Sequence, residues 1–550
     1  MHDSSLLPFI KCDHCLKIFA FYKISGTKIR NNSKANYADH ICMKVDQDLK
    51  QPLITNTAFK QLPESLRDVL ADEMAILIGT HPTLSTLSTV DYTNSLLNKV
   101  VPEILKYGHM FNFNVSRQKI GQSIESKGQA LKNANLKILN ENIYTSSLIF
   151  DHWTNHGKNF IALVGQTCFD DLKVKPYVVG FRISNEDKSA DGYIKDFESV
   201  LSKNYDFPMP MCTDNCPTMV KALRISSNST KIYCLCHKLA KIDDKIHSEA
   251  KFFKDLDYEI TKVNSYFNSR HLTSKLDLEP QKKPSTTRPW RSHRKNYETT
   301  SRNLERYFEK AVFNVGILNR NNIEKAKKFQ DSFCNNFEIL EKKDSTLLTS
   351  FKAYANLKNL ANSPETKEII GQILINSISD PKFLKQLFSN HAVAFFYLSR
   401  ASAKKWEENY PELNIGNRID SAIKFIKEIG SKIKLTKKTN IQTNIETNID
   451  DLLFDESPAK ITKFSSVELE LEKFKNITSD LNCDKFWEEF GNQMPILSTI
   501  YKQLKSIPPS NSYVERLFST GKLIASDLKN RTSYNSIEAQ CVLCFDSKNN

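Results

Sequence analysis

The sequence predicts an α+β fold in which a mixed β-sheet is interrupted by a large all-helical insertion. Three observations predict it. Short apolar and β-branched runs cluster between residues 146 and 235. Residues 241–480 carry almost unbroken helical periodicity. The chain then returns to amphipathic helix over residues 481–550, notably in FWEEFGNQMPILSTIYKQL and SNSYVERLFSTGKLI. At 550 residues the chain has room for about three or four units at roughly 150 residues each. A hydrophobic content of 40% allows real cores. The mean hydropathy of −0.45 is that of a soluble protein. No run of about 18 apolar residues occurs, so no transmembrane helix is expected. The opening MHDSSLLPFIKC lacks a basic stretch followed by an apolar one, so no secretory signal is expected.

Taken in order, residues 1–50 form a polar head containing Cys and His. Residues 55–140 read as helical: apolar positions recur every three or four residues in QLPESLRDVLADEMAILIGT and in VSRQKIGQSIESKGQALKNANLKIL. In 141–240, SSLIFDHW, NFIALVGQTCF and KPYVVGFRIS read as three strands, with NHGK as the hairpin loop between the first two. DGYIKDFESVLSKNY is an amphipathic helix, MPMCTDN a short strand, PTMVKALR a helix with Pro217 near its start, and KIYCLCH a last strand. The strands are expected near 146–152, 159–168, 175–183, 209–213 and 231–235. Three hairpin-connected strands followed by helix, strand, helix and strand is the order of a ribonuclease H-like core. Within the insertion, the Asn/Thr-rich segment 435–463 reads as a flexible loop.

Lys and Arg total 77 against 63 Asp and Glu, a net charge of +14. Such a balance attracts polyanions, nucleic acid above all, although a Lys-rich but otherwise ordinary enzyme shares it. The twelve cysteines, without a secretory signal, point to a reducing compartment and not to structural disulfides. Cys541 and Cys544, at i and i+3 on a terminal helix, read as core residues.

Two acids stand out. Asp151 ends the apolar run SLIF, and Asp214 follows the apolar strand in MCTDNCP. A carboxylate at the end of a central strand is costly to bury without a cation or a donor. Two strand-end aspartates converge if their strands are neighbours, and divalent metals relieve their repulsion. The plainer reading of Asp214 is a cap for the helix beginning near Pro217.

Several stretches, in order, resemble hAT-type DNA transposases. SSLIFDHWTN resembles the family's D-x-W-T/S segment, MCTDNCPTMVKAL its T-D-N segment, and YCLCHKLAKI the C-x-x-H that follows, with Cys234 and His237. TTRPWRSHRKNYETTSRNLE looks like the T-R-W-x-S segment, with Pro289 inserted before Trp290. VSRQKI is loosely similar to an upstream P-S-R-x-T-I segment. IPPSNSYVERLFSTGKLI is similar to the C-terminal dimerisation signature with its E-R-x-F-S. Together they cover roughly residues 60–550.

The resemblance implies a third carboxylate, Glu515, which without it would be one more acid on an amphipathic helix. Asp151, Asp214 and Glu515 would hold two Mg²⁺ or Mn²⁺ ions for phosphoryl transfer, since carboxylates suit hard cations. Cys234 and His237 would help to form and orient the core; alone, C-x-x-H supplies too few ligands for zinc. Trp290 would support an extruded base near the scissile junction, with Arg288, Arg291, Arg294 and Lys295 as phosphate partners. The head resembles a degenerate BED-type zinc finger. Cys12, Cys15 and His40 match three ligands, Cys42 or His14 stands in for the fourth, and little of the usual aromatic strand precedes Cys12. The implied partners are double-stranded DNA and a second copy of the chain, as a homodimer or higher homo-oligomer, with no membrane. The implied compartment is the nucleus. The alternative is a domesticated or decayed descendant that binds DNA and dimerises without cutting.

Overall fold

The computed structural model describes residues 117–155, 157–184, 189–201, 209–214, 216–225, 229–269, 289–307, 314–315, 317–433, 466–524 and 533–549, with short pieces before residue 117. The chain divides into two compact units, residues 1–63 with 104–114, and residues 64–103 with 115–550.

In the first unit, Phe9–Lys11 pairs antiparallel with Ile18–Ala20, so two strands flank the Cys12–Cys15 pair in the chain. Tyr22–Ser25 pairs with Lys28–Asn31. Cys12, His14, Cys15, His40 and Cys42 themselves lie outside the described residues. Residues 55–140, read as helical, are not wholly so: Lys60–Gln61 and Phe111–Asn112 form a short parallel pair. Phe111 and Phe113 alternate with asparagines there, a two-residue period that suits extended chain.

The second unit is built on one five-stranded mixed sheet. Its strands are β1 (Ser146–Asn155), β2 (Lys158–Cys168), β3 (Val174–Ser184), β4 (Met209–Thr213) and β5 (Ser229–Tyr233). The order across the sheet is β5-β4-β1-β2-β3. β1, β2 and β3 are antiparallel neighbours, whereas β4 runs parallel to both β1 and β5. Gly157, at φ +75°, turns the tight loop between β1 and β2. The fifth strand lies two residues earlier than expected, because Cys234 already caps the helix Leu235–Glu249.

The strands are apolar on both faces because both faces are covered. Leu148, Phe150, Ile161, Leu163 and Met211 pack with Leu139, Tyr193 and Met219 of flanking helices. Ile149, Phe160, Ala162 and Val164 face a larger core that continues through Phe253, Phe333, Tyr501 and Leu504. Between Leu235 and Phe490 the described residues are almost entirely helical. The exception is a two-stranded hairpin, Asn314–Val315 with Leu318–Asn319. Several of these helices are short and punctuated by Ser-Pro or Asp-Pro. Ser363 and Asp380 cap, with Pro364 and Pro381 as first helical residues. The expected loop 435–463 lies outside the described residues. Among the described residues no helix is long and apolar enough to cross a membrane.

The end of the chain closes the sheet. Helix Pro495–Ser506 buries Leu497, Ile500, Tyr501 and Leu504, and Ser147 Oγ donates to Ser506 O at 2.7 Å. Helix Tyr534–Asn549 packs on helix Arg117–Glu141 and on β3. Cys541 and Cys544 are buried there as core residues. Much of the apolar surface of residues 495–545 is therefore covered within one chain.

At Gly128 the two packed helices are so close that an added Cβ would lie 2.4 Å from Ala539 Cβ and 2.5 Å from its Cα. A glycine-to-alanine change inside a helix gains about 1 kcal/mol in propensity. Overpacking against backbone costs about 1–3 kcal/mol. Gly128→Ala is therefore expected to be net destabilising, and a lower midpoint in thermal or urea unfolding checks it. A higher midpoint would contradict the close approach.

Candidate active site

Parallel register places the two aspartates. Cys212 of β4 stands beside Ile149 of β1. Two positions on, Asp214 comes level with Asp151. β1 does not end near residue 152, where it was expected to; it continues to Asn155 because its hairpin with β2 extends that far. What ends is β4, at Thr213, so Asp151 projects past the parallel edge. Asp151 shares the side-chain parity of Ile149 and thus the face covered by the C-terminal helices.

The helix Ser512–Ile524 supplies the third acid. Val514, Leu517 and Ile524 bury one stripe, while Glu515, Phe518, Ser519 and Lys522, spaced at i, i+3, i+4 and i+7, line the cleft. Asp151, Asp214, Glu515 and His237 thus border one cleft of about 370 Å³, although Asp151 and Glu515 lie 364 positions apart in the chain. A larger cavity of about 750 Å³ lies between Tyr233 and the helical insertion and is lined by none of the three acids.

Asp151 is 8% exposed. Its Oδ1 accepts the His152 N–H at 2.8 Å and its Oδ2 accepts Asn511 Nδ2 at 2.7 Å. Burial pushes its carboxyl up to about 8, and the charges of Asp214 and, less strongly, Glu515 add to this, against His237 and the His152 amide. Asp214 Oδ1 accepts the Cys216 N–H at 2.9 Å, so it holds the turn into helix Pro217–Ile225 and borders the cleft as well. Lys231 Nζ donates to the Asp214 carbonyl at 3.2 Å, and burial lowers this amine to about 8.

Beneath the acids, Cys234 Sγ lies 3.1 Å from Asn511 Oδ1 and accepts the Asn511 N–H at 3.4 Å. The Leu235 N–H donates to Pro509 O at 3.0 Å. The buried segment Ile507–Ser512 is thereby fastened to the end of β5 and, through Asn511, to Asp151 of β1. His237 is held up to about 10: burial opposes its charge, but the Cys234 sulfur, Asp151 and Glu515 outweigh that. Asn511 was missed in the sequence because its partners, Asp151 and Cys234, lie 360 and 277 positions away.

The basic residues around Trp290 occupy different surroundings. Helix Pro289–Tyr307 begins at Pro289, so the inserted proline takes a first-turn position where no N–H is needed. Arg291 pairs with Glu341 at 2.6 Å, and Arg294 pairs with Asp331 at 2.6 Å and with Glu338 at 2.7 Å. Both guanidinium groups thus tie their helix to helix Arg320–Glu341. Lys295 is exposed. Arg288 and the Trp290 side chain lie outside the described residues.

Three strand-edge and helix carboxylates in one cleft, beside buried Cys234 and half-buried His237, define a mixed α+β protein with an acidic site. Residues 464–545 match the family model described as the hAT family C-terminal dimerisation region. The likeness spans 82 of the 550 residues (464 to 545 inclusive) and is to a dimerisation region of that family. Comparison with curated proteins gives no match.

Proposed function

We propose that this chain is a hAT-type DNA transposase with a ribonuclease H-like core, cutting and joining DNA by metal-dependent phosphoryl transfer. One observation carries the proposal: Asp151, Asp214 and Glu515 border a single cleft although they come from two strand edges and a distant helix. The strand order β5-β4-β1-β2-β3, with three antiparallel strands followed by two parallel ones, supports the core assignment. The donor set fits a hard divalent cation. A buried carboxyl, raised by its own desolvation and by like charges, is the group a Mg²⁺ or Mn²⁺ ion would return to its ionised form. Bound by Asp151, Asp214 and Glu515, two such ions would supply charge stabilisation and a more acidic attacking water or 3′-hydroxyl.

The chain's own residues do the positioning. Asn511 and the His152 amide each hold one oxygen of Asp151, which fixes the direction of its remaining lone pairs. Helix Ser512–Ile524 carries Lys522 onto the same wall as Glu515, placing a cation where a DNA phosphate would enter. Double-stranded DNA is the proposed partner and the nucleus the proposed compartment. The head is proposed as a degenerate zinc finger around Cys12, Cys15, His40 and Cys42. For DNA contact, Lys295 remains with Trp290 and Arg288, while Arg291 and Arg294 would have to leave their carboxylates to reach a phosphate.

The test is cleavage of DNA carrying the ends of the element that encodes the chain. Cleavage in Mg²⁺ or Mn²⁺ that stops with EDTA is expected. DNA bound but uncut under all metal conditions would leave the non-cleaving descendant in its place. A finer expectation concerns Asn511. Asn511→Ala should slow cleavage by about 10–100-fold, the scale for groups that orient a metal ligand, and weaken Mn²⁺ binding in parallel. Slower cleavage with unchanged Mn²⁺ affinity would deny Asn511 that positioning role.

A further inference from the structure

A second cluster lies in the helical region, apart from the carboxylate cleft. Asp243 and His247 sit four residues apart on helix Leu235–Glu249 and so share a face. His293 reaches them from helix Pro289–Tyr307. One ligand atom from each lies within 4.8 Å of the other two. Asp243 Oδ2 is 2.9 Å from His293 Nδ1, and Asp243 Oδ1 is 3.8 Å from His247 Nε2. Asp243 is fully buried and His247 nearly so.

The surroundings of His247 are those of a ligand. Its Nδ1 meets Asp257 Oδ2 at 2.6 Å, and the other oxygen of Asp257 accepts the Tyr297 hydroxyl at 2.6 Å. A carboxylate so placed keeps a proton on Nδ1, while Nε2 faces the oxygens of Asp243 and Gln330; losing its proton there would free the Nε2 lone pair for an ion, the arrangement that metal-ligating histidines use. Gln330 Oε1, 3.3 Å from Nε2, is a fourth donor atom within reach, and Gln330 Nε2 donates to Asp243 Oδ1 at 2.9 Å. The two imidazoles stand with ring centroids 3.7 Å apart, where two imidazolium charges would repel. One divalent ion would replace both protons and neutralise Asp243.

We propose that Asp243, His247 and His293 form a zinc site that clamps helix Pro289–Tyr307 onto helix Leu235–Glu249. Two imidazoles and one carboxylate suit zinc better than Mg²⁺ or Ca²⁺. Ligands at about 2.1 Å from one tetrahedral ion lie roughly 3.4 Å apart, so the three ligand atoms, now within 4.8 Å of one another, draw together on binding. The clamp would join the helix that begins beside His237 to the helix that begins at Pro289. It stands independently of the cleavage proposal.

The test uses the full chain with Cys12→Ser and Cys15→Ser, so that the head contributes no thiolate site. Metal is stripped, and zinc is titrated in excess Mg²⁺. One zinc per chain is expected, together with a Co²⁺ derivative that shows visible d–d bands. His293→Gln, which keeps an N–H for Asp243, should weaken zinc binding by at least about 100-fold, as should His247→Gln. No bound zinc at tens of micromolar, or equal binding by a folded His293→Gln chain, would overturn the site. Should both variants fail to fold, the Co²⁺ spectrum of the parent decides: absent d–d bands mean a hydrogen-bonded network and no metal.

Discussion

Replacing Glu515 with Gln is expected to lower DNA cleavage by at least about three orders of magnitude while DNA binding stays within about twofold. The substitution preserves the size of the side chain and its place on helix Ser512–Ile524, whose buried stripe of Val514, Leu517 and Ile524 it does not touch. It removes one of three negative charges from the cleft. A carboxylate that anchors a catalytic cation underlies several kcal/mol of transition-state stabilisation, and about 4 kcal/mol corresponds to a factor of roughly a thousand. DNA binding, by contrast, draws on the basic surface and should persist. Asp214→Asn should behave alike. The measurement is single-turnover cleavage of a labelled DNA end beside a gel-shift titration at one fixed salt concentration. Equal cleavage by the variant and the parent would remove Glu515 from the site. Lost binding would move its role from chemistry to recognition.

The second large effect concerns pH and the docking of the last helix. Asp546 is 3% exposed. Its Oδ2 accepts Asn135 Nδ2 at 2.8 Å and its Oδ1 accepts the Val178 N–H at 3.3 Å. Burial raises its carboxyl to about 6, and these two donors only partly oppose the rise. A carboxyl raised in the folded state favours the fold when protonated. Its contribution is complete below about 3.8, the unfolded value, and disappears as pH rises through about 6. A rise from 3.8 to about 6 corresponds to at most about 3 kcal/mol. Asp546→Asn cannot ionise. Its stability relative to the parent should therefore increase between pH 4 and pH 7 by up to that amount, as read from paired denaturation curves. Curves that stay parallel over this range would contradict a strained ionised Asp546 between helix Tyr534–Asn549 and β3.

Much of the fold was legible because it depends on local pattern. NFIALVGQTCF reads as an almost unbroken apolar run because both of its faces are covered, by Tyr193 and Leu139 on one side and the large helical core on the other. Pro217 marks a helix start, as does Pro289, where a proline inserted into a familiar pattern opens a helix without disturbing it. Boundaries were less legible. HWTN looks like the end of a strand, yet hairpin pairing carries β1 through it. KIYCLCH looks like strand up to Leu235, yet the chain turns into helix at Cys234.

The site was legible in part. Asp151 and Asp214 announce themselves as acids at strand edges, whereas Glu515 became visible only through the resemblance, since an acid on an amphipathic helix carries no signal of its own. The groups that complete the site depend on long-range packing. Asn511 and Asp151 meet across the whole helical insertion, 360 positions apart. Arg291 and Arg294 read as free cations beside a tryptophan, but their carboxylates are 37 to 50 positions downstream on another helix. Asp243 and His247 have a helical ligand spacing, but His293 is brought to them only by helix packing.

The most direct measurement is Mn²⁺ binding followed by electron paramagnetic resonance on the full chain and on its Asp151→Asn, Asp214→Asn and Glu515→Gln variants. Two Mn²⁺ ions per chain are expected, with the exchange-coupled signal of ions about 3.5–4 Å apart. Each single substitution should abolish that coupling. A parent chain that binds no Mn²⁺ at millimolar concentration, or a triple variant that binds it as tightly as the parent, would contradict convergence of the three carboxylates on one metal site.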